Sequence, residues 1–146
     1  MSSAWLIHRF IDAHARFGFA ADLQAVPDRA IPYDMFGAEL SHRGDRCTFE
    51  TLCDVFGIDD AAVARLAAIV HDLDLKEEHS RAAETATVAA MIGGLQLATS
   101  HDDKLLADGM TLFESLYRSF DRSARLAGPR PVARATKKRK RQPAQK

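Results

Sequence analysis

The chain has 146 residues, of which 47% are hydrophobic, enough for a single core and a single domain. It contains no run of about 18 apolar residues, and His8, Arg9 and Asp12 fall in its first turns, so neither a membrane span nor a secretory leader fits and the cytoplasm is the expected location. Its formal charge of zero conceals a division: all 20 acidic groups lie within residues 1–129 together with 12 of the 20 basic ones, leaving a body near −8 and a tail near +8.

In chain order, residues 4–15 place Leu6, Ile7, Phe10 and Ile11 on one stripe, which predicts an amphipathic first helix. Phe17 and Phe19 then alternate, and after a turn at Pro27 the run AIPYDMFG reads as a second extended segment, so a small strand pair is expected here. From Thr48 to Phe56 the apolar positions Phe49, Leu52, Cys53 and Phe56 return to helical spacing, and Gly57 suits the position just past a helix end. A further helix starts with Asp59 or Asp60 as its cap and turns Val63, Leu66, Ala67 and Val70 inward. Beyond a polar linker, a helix covers about 81–99 with Gly93 and Gly94 weakening or kinking it. The last begins at Ser100 to Asp103, a capping-box pattern, and runs to about 126 with Leu112, Phe113, Leu116, Tyr117 and Phe120 facing the core; these two helices are expected to pair as a hairpin. The tail holds eight basic groups, no acid and almost no large apolar side chain, so it cannot bury enough surface to offset its ordering entropy. The fold expected is mainly α (α+β): a compact helical domain over 1–128, of about five helices with a small β insert, followed by a disordered basic tail over 129–146.

Polar chemistry concentrates in SHRGDRCTFE, residues 41–50, and IVHDLDL, residues 69–75. His42 and Cys47 flank an Arg-Gly-Asp-Arg turn that can fold both toward one point, and Glu50 lies one helical turn beyond Cys47. His71 and Asp74 project to one side of a helix end, while Asp72 suits either a ligand or the acceptor that fixes an imidazole tautomer. Nitrogen, sulfur and carboxylate donors together suit a transition metal ion, zinc or iron ahead of manganese, better than magnesium or calcium. Carboxylates at a helix C-terminus oppose the macrodipole, which itself calls for a compensating cation. The structural alternative is a solvated His42, cysteines Cys47 and Cys53 as small buried hydrophobes, and a solvated helix end. Arg9, Arg43 and Arg46 are candidates for holding an anion. Cys47 can also be read as the nucleophile of a thiol enzyme, at a helix N-terminus after Arg46 and within reach of a histidine base, although no CxxC partner supports this. In the tail, Lys137, Lys138, Arg139, Lys140 and Arg141 suit phosphate contacts with nucleic acid, or serve only as a solubilising segment, since no aromatic residue is interleaved for stacking.

Three blocks in order, AWLIHRFID, IPYDMFGAELSHRGDRCTFETL and IVHDLDLK, resemble the chromate-resistance protein family, the ChrB C-terminal domain, over most of residues 4–117. The resemblance places motif positions on His42, Arg43, Gly44, Cys47, Phe49 and Glu50 and on His71, Asp72 and Asp74. It implies a cytoplasmic bacterial protein of chromate resistance, either sensing the oxyanion for transcriptional control or acting on a metal or redox species. Family members generally continue upstream of the first block, their Asp-Pro-Glu reads Asp12-Ala13-His14 here, and the basic tail has no family counterpart, which favours a stand-alone sensor or enzyme-like domain. Turnover separates the two: an enzyme shows saturable chemistry, a sensor binds and shifts, for instance at the linker 76–81, without product.

Overall fold

The computed structural model describes residues 1–75 and 81–127. The tail, with its candidates Lys137 to Arg141, the domain boundary at 128 and most of the proposed switch linker lie outside the described residues.

Helix α1, Ser2–Leu6, runs directly into a single π-helical turn, Ile7–Ile11, closed by the Asp12 amide donating to the Ile7 carbonyl at 2.8 Å. The first helix thus stops short of residue 15. Asp12 is extended, and its carboxylate accepts the His14 amide at 2.8 Å, a local bond that competes with helix continuation.

Residues 12–47 form no strand pair among the described residues, only two isolated bridges, Tyr33 with Leu40 and Arg43 with Arg46, and a 3₁₀ turn over Leu23–Ala25. The alternation that suggested strands is cut by Pro27 and Pro32, which lack donors, and by Asp34 and Gly37, whose φ angles of 56° and 81° reverse the chain. Phe17 instead packs edge-on to Tyr33 with centroids 6.2 Å apart.

Helix α2, Thr48–Val55, ends as the sequence suggests: Gly57 takes φ 62°, and the Ile58 amide reaches back to the Cys53 carbonyl at 2.9 Å. Helix α3, Ala61–Leu75, is capped by Asp60, whose Oδ1 accepts the Ala62 and Val63 amides at 2.8 and 2.9 Å. Helix α4, Thr85–Ala98, carries no charged side chain, fully buries only Val88, and passes through Gly93 and Gly94 unbroken. Helix α5, Asp102–Ala127, starts two residues beyond the expected Ser100, after a turn in which the Thr99 hydroxyl accepts the His101 amide at 3.1 Å.

Helix α3 is central, in contact with α2, α4 and α5, while α1 lies across α2 and α5 and α4 packs on α5. The mainly helical expectation of about five helices holds. Trp5 is the hub: its ring stacks parallel to Phe49 at 6.4 Å and meets Tyr117 at 5.4 Å and Phe113 at 6.4 Å. Such pairs add about 0.5–1.5 kcal/mol each beyond buried area, and Phe49→Ala in this fully buried position would cost about 3–5 kcal/mol. Leu52, Val63, Leu66, Ile69 and Val70 complete the core beneath the polar ends of α2 and α3. Among the described residues no helix is long and apolar enough to cross a membrane.

Candidate functional site

Glu50 and His71 form the buried centre of the polar region. His71 is fully buried, and its Nδ1 lies 2.8 Å from Glu50 Oε2, whose carboxylate is mostly shielded. The same oxygen accepts the Cys47 amide at 2.9 Å, so Glu50 closes a capping box in which cysteine occupies the N-cap usually held by serine or threonine. Burial alone would raise the Glu50 carboxyl; the hydrogen bonds from His71 and the Cys47 amide, with the imidazole charge, outweigh it and hold the group below the usual glutamate range. An ionised Glu50 requires a hydrogen of His71 on Nδ1. The other Glu50 oxygen faces Arg81 Nη1 at 3.8 Å.

A second imidazole is fixed in the same way. The Thr48 hydroxyl donates its one proton to Asp34 Oδ1 at 2.7 Å, so the 3.0 Å contact between Thr48 Oγ1 and His42 Nδ1 requires His42 Nδ1–H as the donor. Asp34 can reach this point because it adopts the left-handed backbone that aspartate tolerates better than most residues. Asp74 lies within electrostatic reach of both histidines. Burial and the Asp34 charge raise its carboxyl above the usual range, opposed by His42, the amino terminus and His71.

Of the sequence-predicted ligands, His42, Cys47, Glu50, His71 and Asp74 therefore gather where α2, α3 and the preceding loop meet. Asp72 turns elsewhere: its two oxygens accept the Arg81 amide at 2.8 Å, the Ala82 amide at 3.0 Å and the Thr85 hydroxyl at 2.7 Å, tying the end of α3 to the start of α4. Among the described residues, no group of three or more histidine, cysteine or carboxylate side chains stands close enough together to hold a metal ion as positioned. Burial, with nearby carboxylates, pushes the Cys47 thiol up to about 12, and burial with the Glu50 charge pushes Cys53 up to about 11. Thiols so placed stay protonated and are poor nucleophiles.

The three candidate anion-binding arginines do not converge. Arg46 is ion-paired with Asp54, Arg43 donates to the Glu39 carbonyl at 2.8 Å, and Arg9 sits apart, 3.6 Å from Glu114. Beside the site, a groove of about 330 Å³ runs along α2 and α3, with Arg46, Asp54, Asp59 and Arg81 on its walls and Glu50 at its inner end. Sequence reasoning missed Asp34, Thr48 and Arg81. A turn aspartate followed by Gly37, and a threonine opening α2, were the available signals, but only the fold brings them to His42.

The chain matches the family model described as the ChrB C-terminal domain over residues 1–120. It is 39% identical over 121 residues to Protein ChrB of Cupriavidus metallidurans, a match covering 82% of this chain and 37% of that protein. This chain thus aligns with little more than a third of its relative's length. No solved structure matches.

Proposed function

This chain belongs to the ChrB C-terminal domain family, and from that premise we propose that it is a metal-responsive sensing module of the chromate-stress response, with His42, His71 and Asp74 as the ligands of a transition metal. The observation that carries this reading is the matched anchoring of two imidazoles through Nδ1, His71 by Glu50 and His42 by Thr48. Metal-binding histidines are oriented in this way, by a hydrogen bond at the ring nitrogen that does not ligate. Two nitrogens and a carboxylate suit zinc, iron or manganese. Closure around an ion would bring the half-exposed His42, still held through Nδ1 by Thr48, toward the buried His71.

In this reading Glu50 orients His71 and Cys47 caps α2 without ligating. A response would pass from His71 to its neighbour Asp72, and so to the first turn of α4. High thiol values weigh against a thiol-dependent enzyme built on Cys47.

The test is metal content of the untagged protein by mass spectrometry, with His42→Ala and His71→Ala variants that retain their circular dichroism. Near-stoichiometric zinc, iron or manganese, lost from both variants, is the expected result. A parent that binds no metal after reconstitution overturns the proposal, and metal-dependent consumption of chromate would replace sensing with catalysis.

A further inference from the structure

We propose that the groove between the first helix and α5 is a binding site for a small tetrahedral oxyanion, held by Arg9 and Arg118. This groove encloses about 660 Å³, with Trp5, His8 and Arg9 on one wall and Met110, Glu114 and Arg118 on the other. It does not involve the Glu50–His71 centre and stands independently of the metal reading.

Glu114 organises the groove. It accepts the Trp5 indole N–H at 3.0 Å and Arg118 Nε at 2.7 Å, and lies 3.6 Å from Arg9 Nε. Both guanidinium groups thus meet the carboxylate through Nε, and among the described residues neither has another ion pair, which leaves their Nη amino groups for a second anion. Two arginines against one carboxylate leave a net positive charge, and His8 adds a further donor. Arg9 is also held from behind, its guanidinium carbon 5.4 Å from the Tyr117 ring centroid and 5.7 Å from that of Phe10. The π-helical turn over Ile7–Ile11 supplies both His8 and Arg9, and such turns are frequent at functional sites.

The remaining polar groups narrow the chemistry. Thr111 and Ser115 spend their hydroxyl protons on the Ala107 and Thr111 carbonyls, at 3.0 and 2.8 Å. The donors facing the groove are therefore arginine and histidine nitrogens, a set suited to phosphate, sulfate or chromate.

Trp5 is the only tryptophan, so its emission reports on this groove directly. Sulfate and phosphate are titrated against the full chain at constant ionic strength, with chloride as the reference, and chromate is followed by equilibrium dialysis. Saturable binding is expected, weakened about tenfold or more in Arg9→Gln and in Arg118→Gln, the scale of one charge-assisted hydrogen bond. Arg118 is 77% exposed, so its replacement leaves the fold intact. Arg122→Gln, the same charge change elsewhere on α5, should leave the affinity unchanged. Binding of all three anions supports a general oxyanion site, and of chromate alone a selective one. No saturation above chloride, or equal loss in Arg122→Gln, overturns the proposal.

Discussion

Replacing Glu50 tests whether one carboxylate holds both the start of α2 and the buried imidazole. Glu50→Ala removes the acceptor of the Cys47 amide, a capping interaction whose loss costs about 1 kcal/mol. It also leaves the Nδ1–H of a fully buried His71 without the carboxylate that receives it, at about 1–3 kcal/mol. The sum is about 2–4 kcal/mol, a large share of the roughly 5–15 kcal/mol that holds an ordinary domain together. Glu50→Gln separates charge from shape. An amide oxygen in the place of Oε2 has two lone pairs and can accept both hydrogen bonds, while its NH₂ would face Arg81, so the cost should be about 1 kcal/mol. Urea unfolding of metal-free protein in chelator, followed by Trp5 emission and circular dichroism, measures both. The pH dependence carries a sign. Because the folded carboxyl is held below its unfolded value, the contribution of ionised Glu50 is full above the unfolded value and fades as pH falls through the folded one. The parent's advantage over Glu50→Gln should therefore narrow on acidification through the range below the usual glutamate value. An alanine variant within 0.5 kcal/mol of the parent, or a glutamine variant as damaged as alanine, would refute the assignment.

Thr51→Val should stabilise the protein by about 1 kcal/mol, because the Thr51 hydroxyl is buried without a hydrogen-bond partner among the described residues and valine keeps its shape; a lower urea midpoint would count against this. With thiols at about 12 and 11, Cys47 and Cys53 should react with iodoacetamide at pH 8 at least ~100-fold more slowly in the native state than in urea; a fast native phase would mean one of them is activated. Asp72→Asn leaves a single acceptor oxygen for three donors and should cost about 1–3 kcal/mol while raising amide exchange at Arg81 and Ala82; unchanged exchange at both would show that Asp72 does not hold this turn.

The helical frame was legible because its signals are local. Asp60 and Gly57 sit at the two ends of the α2–α3 corner as caps whose geometry depends on few neighbours, and the apolar stripe of α5 needs no partner to be read. The segment 12–47 was not, since its outcome turned on where prolines and left-handed residues interrupt an alternating pattern. The site divides likewise. Residue type brought His42, Glu50, His71 and Asp74 to attention, but whether a carboxylate ligates, caps or staples depends on which donors the fold aims at it. Asp72 shows the point: its position at the C-terminal end of α3 looked electrostatically misplaced, and three donors from the next segment converge on its carboxylate.

His71 and Asp72 are adjacent on α3 yet bind in different directions, one to Glu50 on α2 and the other to the chain entering α4. A shift of the α3 terminus cannot relax one contact without straining the other, because both are short, directional and at most slightly exposed. Helix α4 is the element placed to respond. It has no ion pair along Thr85–Ala98, exposes Met91 by 49% and Leu97 by 92%, and contains two adjacent glycines that each cost about 1 kcal/mol in a helix interior. Its start is fixed chiefly by Asp72, together with the Arg65–Glu84 contact. Whatever reorients His71 would therefore be felt first at the start of α4. The Asp72→Asn exchange experiment measures that linkage directly: opening confined to residues 81–85 would mark a local staple, and opening carried through α4 would mark the helix as one cooperative unit held by a single carboxylate.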